Sequence, residues 1–268
     1  MSNLDKALLT LNETETSARR GDSPLARRDA RAKTLVTLLY LVALLSLPLD
    51  NLGAIILFAL YPIIGASMAD IPYGRIFRAS LYTLPFIAFI GIFNPIFDHK
   101  PQLVIGSVVI NEGWVQFAAI LVRGLLCVQA TVLLILSTGF ISLCRGLRRM
   151  GLPAIFATQL FMLYRYIFVL LSEARDMERA RVSRGYGRSS FGLRFWATFV
   201  GQLLLRTTSR AERIHGAMLS RGFSGEVPYS GGSDRWRWAD TIYLFVWSTI
   251  FAAIRFCDIP SLFTQMMH

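Results

Sequence analysis

Lysine is nearly absent from this 268-residue chain: only Lys6, Lys33 and Lys100 occur among 28 basic residues, so arginine carries the positive charge. Arginine is less strongly hydrated than lysine and presents a planar fork of donors, which suits interfaces and anionic headgroups. None of the three lysines follows a glycine, so the chain has no G-x-x-x-x-G-K-[ST] loop to cradle a nucleotide. Cysteine is equally scarce. Cys127, Cys144 and Cys257 lie far apart with no C-x-x-C spacing, so neither a disulfide nor a thiolate metal site is expected. The three histidines, His99, His215 and His268, are scattered, whereas a tight transition-metal site needs three or four convergent ligands. The chain is therefore expected to hold no metal and no cofactor of its own.

Catalytic groupings are missing too. An intramembrane protease needs a serine and histidine, or paired aspartates, at membrane depth. Here the apolar runs contain no histidine and carry their acidic residues at the edges. A formal net charge of +11 would suit a nucleic-acid binder, but Glu173, Asp176, Glu178, Glu212, Glu226 and Asp234 interrupt the arginine-rich segment. An intramembrane enzyme and a membrane-anchored nucleic-acid binder are thus the weakest readings. No nucleic-acid partner is needed to explain the charge.

What the chain has in abundance is apolar sequence. At 54% hydrophobic residues and a mean hydropathy of +0.48, it exceeds an ordinary soluble domain. Apolar runs separated by basic loops indicate an all-α, polytopic membrane protein. The reading gives residues 1–33 as a cytosolic, mostly disordered tail, 34–143 as four transmembrane helices, 144–237 as a cytosolic layer of amphipathic helices, 238–257 as the last span and 258–268 as an external tail. Five spans place the N-terminus inside and the C-terminus outside.

Several details follow. Thr34–Leu49 and Leu52–Ala69 form a hairpin through a tight turn at Pro48-Leu49-Asp50-Asn51. Asp70–Ala79, with Arg75 and Arg78, reads as a cytosolic loop, and Ser80–Phe97 as a third span bent by Pro85 and Pro95. Asp98–Gly113 reads as external, with Leu103–Ile110 apolar enough for a strand or interfacial segment. Trp114–Leu143 is a 30-residue run, about 45 Å as a helix against a core of about 30 Å, so it must tilt or project into the cytosol. Arg123 lies within it, either pairing between helices or snorkelling outward to Asp98 or Glu112.

Pro153–Ser172 is also apolar enough to span. Were it to cross, the twelve arginines between Glu173 and Arg237 would lie outside, against the positive-inside rule. The helix is therefore expected to lie on or beneath the membrane. Trp236 and Trp238 then mark the interface before the last span.

Within this layer one phrase occurs twice. Ala180-Arg181-Val182-Ser183-Arg184-Gly185-Tyr186 returns as Ala217-Met218-Leu219-Ser220-Arg221-Gly222-Phe223. Each copy ends a segment of helical periodicity. Leu160, Leu163, Ile167, Leu170, Ala174 and Met177 mark the first, while Phe199, Leu203, Thr207, Ala211, Ile214 and Met218 mark the second beside a stripe of Arg206, Arg210 and Arg213. Arginine in a last turn and glycine beyond it suit helix capping. Capping does not by itself explain the repeated serine and aromatic.

These residues carry a family resemblance. Leu152-Pro153, Arg165-Tyr166, Glu173, Ala180, Ser183-Arg184-Gly185, Arg210-Ala211-Glu212-Arg213, Ala217-Met218 and Ser220-Arg221-Gly222-Phe223-Ser224-Gly225 together resemble the CbiQ family. Asp29-Ala30-Arg31-Ala32-Lys33 is similar to that family's D-x-x-x-K pattern. Such proteins are transmembrane T components of energy-coupling factor (ECF) importers, usually of the cobalt or nickel branch. The resemblance implies a non-catalytic subunit of the inner membrane. It implies two ABC ATPase partners, a CbiM-like substrate-binding membrane component and, in some members, a small auxiliary membrane subunit. It further implies that Ser183-Arg184-Gly185 and Ser220-Arg221-Gly222 dock into the two ATPases, with Ala180, Ala217, Met218, Glu212 and Arg213 in support. Cobalt against nickel stays open, as does a vitamin-type importer.

Overall fold

In a bilayer each backbone polar group must be satisfied within the protein, so prolines decide where a span bends and side chains decide what repairs the bend. The computed structural model describes residues 23–25, 28–48, 52–94, 101–105, 108–184, 192–225 and 236–256. The architecture is all-α, with one β-hairpin added. Contacts divide the described residues into two compact units, 23–139 with 236–256, and 140–225.

In the larger unit, α1 (Ala30–Leu45) starts at Asp29, whose Oδ1 accepts the Arg31 N–H at 2.8 Å as an N-cap. The second apolar run is split into α2 (Leu52–Leu57) and α3 (Leu60–Met68). Pro62 has no N–H to offer the Phe58 carbonyl, which accepts instead from the Tyr61 N–H at 3.3 Å and from the Tyr40 hydroxyl of α1 at 3.2 Å. The kink thereby becomes part of the core. Tyr40 packs on Tyr61 (ring centroids 4.6 Å apart) and Phe251 (5.4 Å), and Tyr61 meets Trp247 edge-on at 4.9 Å. Phe251 and Trp247 belong to the last described helix, α10 (Trp238–Phe256), so the first and last apolar runs close on each other.

The expected loop at Asp70–Ala79 is instead helical: α4 (Tyr73–Leu81) runs on through a turn at Tyr82-Thr83 into α5 (Leu84–Gly91), with Pro85 at the interruption. The helical stretch thus begins about two turns earlier than Ser80. Arg75 and Arg78 sit exposed on the outer face, which depressed the hydropathy, while Ile76 and Ser80 are wholly buried and the Tyr73 hydroxyl donates to Gln129 at 2.8 Å. After β1 (Pro101–Ile105) and β2 (Val108–Asn111), an antiparallel hairpin pairing Ile105 with Val108, comes α6 (Glu112–Thr138). At Gly124 a Cβ would lie 2.7 Å from Ile87, so glycine permits α5 and α6 to approach closely.

The 30-residue run does not form one helix. It stops at Gly139, whose φ of 73° lies in the left-handed region, and α7 (Phe140–Arg149) starts afresh. Arg123 bridges to a neighbouring apolar segment. Its Nη2 donates to the Leu47 carbonyl at the end of the first apolar run, a site of unsatisfied carbonyls and negative dipole. The expected outward partners, Asp98 and the side chain of Glu112, lie outside what the structure describes.

Just before α1, described residues are packed where a mostly disordered tail was expected. Leu25 is buried and its N–H bonds to the Met68 carbonyl at 3.2 Å. Asp29 and Lys33 are buried as well. Asp29 N–H donates to Asp240 Oδ1 (3.3 Å), and Arg237 N–H to Asp240 Oδ2 (2.9 Å), at the first turn of α10 (Trp238–Phe256). Trp238 stands exposed there, and the Trp236 indole donates to Thr241. The turn at residues 49–51 falls outside the described residues.

The smaller unit holds α7, α8 (Ala154–Arg184) and α9 (Leu193–Leu219). Phe140 stacks on Tyr164 with centroids 4.8 Å apart, and Cys144 is buried. Among the described residues, two helices are long and apolar enough to cross a membrane: Gly113–Thr138 and Ala154–Arg184.

Candidate coupling face

The two repeated phrases end α8 and α9. Serine does the same thing in both. Ser183 Oγ donates to the Arg179 carbonyl at 3.1 Å and Ser220 Oγ to the Gly216 carbonyl at 3.0 Å, each reaching back four residues. A serine bonded in this way uses its hydroxyl on its own helix, leaving the following arginine as the group presented outward. Arg184 is the last residue of α8, Arg221 follows α9, and both are exposed.

At α9 the chain closes with a Schellman turn. Gly222 N–H reaches the Leu219 carbonyl and Phe223 N–H the Met218 carbonyl, both at 3.0 Å, with Gly222 at φ 77°. Such turns favour an apolar residue after the glycine, so Phe223 is explained by capping after all. The same closure ends α7, where Leu152 N–H meets the Leu147 carbonyl and Gly151 has φ 110°. Glycine followed by an apolar residue thus stops two helices of this chain in the same way. Only the back-bonded serine and outward arginine set the repeated phrase apart. Gly185 lies outside the described residues, so the comparison at the first copy ends with Arg184.

Around Arg221 the surface is concave. A cleft of about 650 Å³ is lined by Met162, Arg165 and Tyr166 of α8, and by Ile214, Ala217, Met218, Gly222, Phe223 and Ser224 from α9 and its cap. Along the same pair of helices runs a mainly apolar groove of about 430 Å³, which includes Thr158, Leu170, Ala211 and His215. Thr158 is buried, and its hydroxyl finds no hydrogen-bond partner among the described residues. Of the expected supporting residues, Met218 lines both clefts and Ala217 only the first, whereas Ala180 and Glu212 are exposed without lining either. Arg213 lines a third, more polar recess with Glu173, Arg206 and Arg210. No contact joins Arg184 to Arg221 among the described residues. Each is offered separately.

The arginine stripe of α9 has a partner on α8. Glu173 Oε1 accepts from Arg206 Nη1 at 2.8 Å, and its second oxygen lies 3.8 Å from Arg210. Both arginines are about half exposed, so the attraction is screened and worth under about 1 kcal/mol. Of the cleft-lining residues, Ile214 is legible in the sequence as part of an apolar stripe, whereas Met162 falls outside the stripe read for its helix. Among the described residues no group of three or more His, Cys, Asp or Glu side chains could hold a metal ion, and His215 is exposed beside an apolar groove.

Comparison with known proteins decides the family. The family model described as CbiQ, cobalt transport protein, matches residues 21–229. The chain belongs to the CbiQ family. It is 31% identical over 218 residues to the energy-coupling factor transporter transmembrane protein EcfT of Heliobacterium modesticaldum, covering 76% of this chain and 81% of that one. It is 26% identical over 136 residues to the cobalt transport protein CbiQ of Salmonella typhimurium, covering 47% and 60%. A fused cobalt transport protein CbiMQ of Methanocorpusculum labreanum matches at 31% over 132 residues, covering 48% of this chain and 22% of that one. A CbiQ protein is a membrane component of a transporter, in keeping with the apolar helices described above.

Proposed function

We propose that this CbiQ protein is the T component of an ECF-type importer for cobalt or nickel, and that it transmits ATPase motion to a substrate-binding membrane subunit without chemistry of its own. The cobalt reading rests on the names of its relatives, and the fused CbiMQ relative favours a CbiM-like partner. Two ATPase copies, one for each repeated arginine, complete the assembly. N-terminus inside, the segment 144–237 forms the cytosolic layer that meets them.

One observation supports the coupling role above the rest: two helices end in the same serine–arginine arrangement, with each serine turned back and each arginine exposed. An arginine so placed can meet a carboxylate with both arms of its fork, and truncating one member of a desolvated interfacial pair costs about 2–5 kcal/mol. The test is co-purification with the ATPases, together with uptake of labelled cobalt and nickel. Arg184→Ala or Arg221→Ala weakens ATPase retention, the double change abolishes it, and Arg→Lys restores part of it. Arg188→Ala and Arg194→Ala, outside the repeated phrase, leave retention near wild type. A double variant that holds its ATPases as firmly as the parent overturns the coupling assignment, while uptake of a vitamin in place of either ion overturns the substrate.

A further inference from the structure

Lys33 is the one lysine among the described residues, and it is 4% exposed. Its Nζ donates to the backbone carbonyl of Ser137 at 2.9 Å, bridging from the first turn of α1 to the last turn of α6. The last carbonyls of a helix lack intrahelical donors and sit at the negative end of its dipole, so an amine there caps the helix from outside. The turn cannot cap itself with side chains. Ser137 Oγ is spent on the Leu134 carbonyl, and the buried Thr138 hydroxyl has no hydrogen-bond partner among the described residues. Two residues beyond Ser137 stands Gly139, at φ 73°, and from there the chain leaves for α7 and the arginine-bearing helices.

The other foot of that inserted segment is tied to the same place. Asp29, one turn before Lys33, donates its N–H to Asp240 at the start of α10, and Arg28 lies 3.9 Å from the same carboxylate. Asp240 is 1% exposed. Burying charge is costly, and apolar side chains of equal volume often serve stability as well or better. A buried lysine retained at the mouth of a junction therefore calls for a reason other than stability.

We infer that Lys33 is a positioning residue of the coupling step: by capping the last turn of α6 it fixes the Gly139 junction through which movement of the inserted segment reaches the membrane helices. The inference rests on the coupling role proposed above. It adds a residue outside the inserted segment, acting through the Ser137 carbonyl and not through any partner.

The experiment uses the whole transporter complex in proteoliposomes and reads ion uptake per ATP hydrolysed alongside the thermal midpoint. In Lys33→Met, the complex assembles and hydrolyses ATP with an unchanged midpoint, but uptake per ATP falls by about fivefold or more, the lower end of coupling between sites. Lys33→Arg, which retains a donor, recovers most of the ratio. An unchanged ratio in Lys33→Met overturns the inference. Should Lys33→Met fail to assemble, Gly139→Ala takes its place, since it strains the same junction with Lys33 intact; a lowered ratio there supports the inference and an unchanged one overturns it. The double arginine variant keeps the two ideas apart. It loses its ATPases if the coupling role holds, whatever Lys33 does.

Discussion

An arginine at a helix end serves a partner only while the backbone carrying it holds its direction, and at Arg221 that constancy comes from Gly222. The left-handed conformation at φ 77° costs a residue with a Cβ about 1–2 kcal/mol, and nothing lies within 4 Å of where a Cβ would be. Gly222→Ala is thus a purely backbone perturbation. It is expected to weaken ATPase retention with Arg221 still present, whereas Gly222→Asn, which tolerates this conformation, is expected to retain most of it. Equal retention by all three proteins would show that the cap has no bearing on docking. Capping and docking are in this light two uses of one turn, and the aromatic of the phrase belongs to the first use.

Helices α5 and α6 meet where Gly124 faces Ile87, with side-chain atoms 2.7–3.2 Å from the position a Cβ would take. Gly124→Leu therefore forces the helices apart, with overpacking worth about 1–3 kcal/mol. The check is the thermal midpoint of the purified protein, which should fall, while Gly216→Leu, at an open site on α9, should change it little. The sequence displayed most elements but not all their ends. The last apolar run matches α10 closely, whereas α1 starts and ends four residues before the run Thr34–Leu49 and α9 starts six residues before its stripe at Phe199. The sequence hid the start of α4, because Arg75 and Arg78 lowered the hydropathy of a helix whose inner face, Ile76 and Ser80, is buried. It hid the stop at Gly139, because one left-handed glycine leaves no trace in an apolar run. Of the site, the repeated phrase was plain, but the cleft beside Arg221 needs Met162 and Tyr166 from a helix distant in sequence. Lys33 was noticed as part of a pattern, and only the fold shows what it touches.

For the molecule as a whole, orientation depends on α8. Its apolar half satisfies the length and composition of a span, yet a crossing there would export the arginines that follow. Introduced cysteines at Ser107 and Thr264 are expected to label from outside, and those at Ser172 and Ser189 only after permeabilisation. External labelling at Ser189 would mean that α8 crosses, and the coupling layer would then lie on the wrong side to meet an ATPase.

The single turn from Asp29 to Lys33 holds both ends of the inserted segment, Asp240 through one residue and Ser137 through the other. For protein engineering this sets a rule of exchange. A segment 140–236 borrowed from another CbiQ protein arrives with its two feet cut for a particular five-residue footing, so the cassette is portable only when residues 29–33 travel with it.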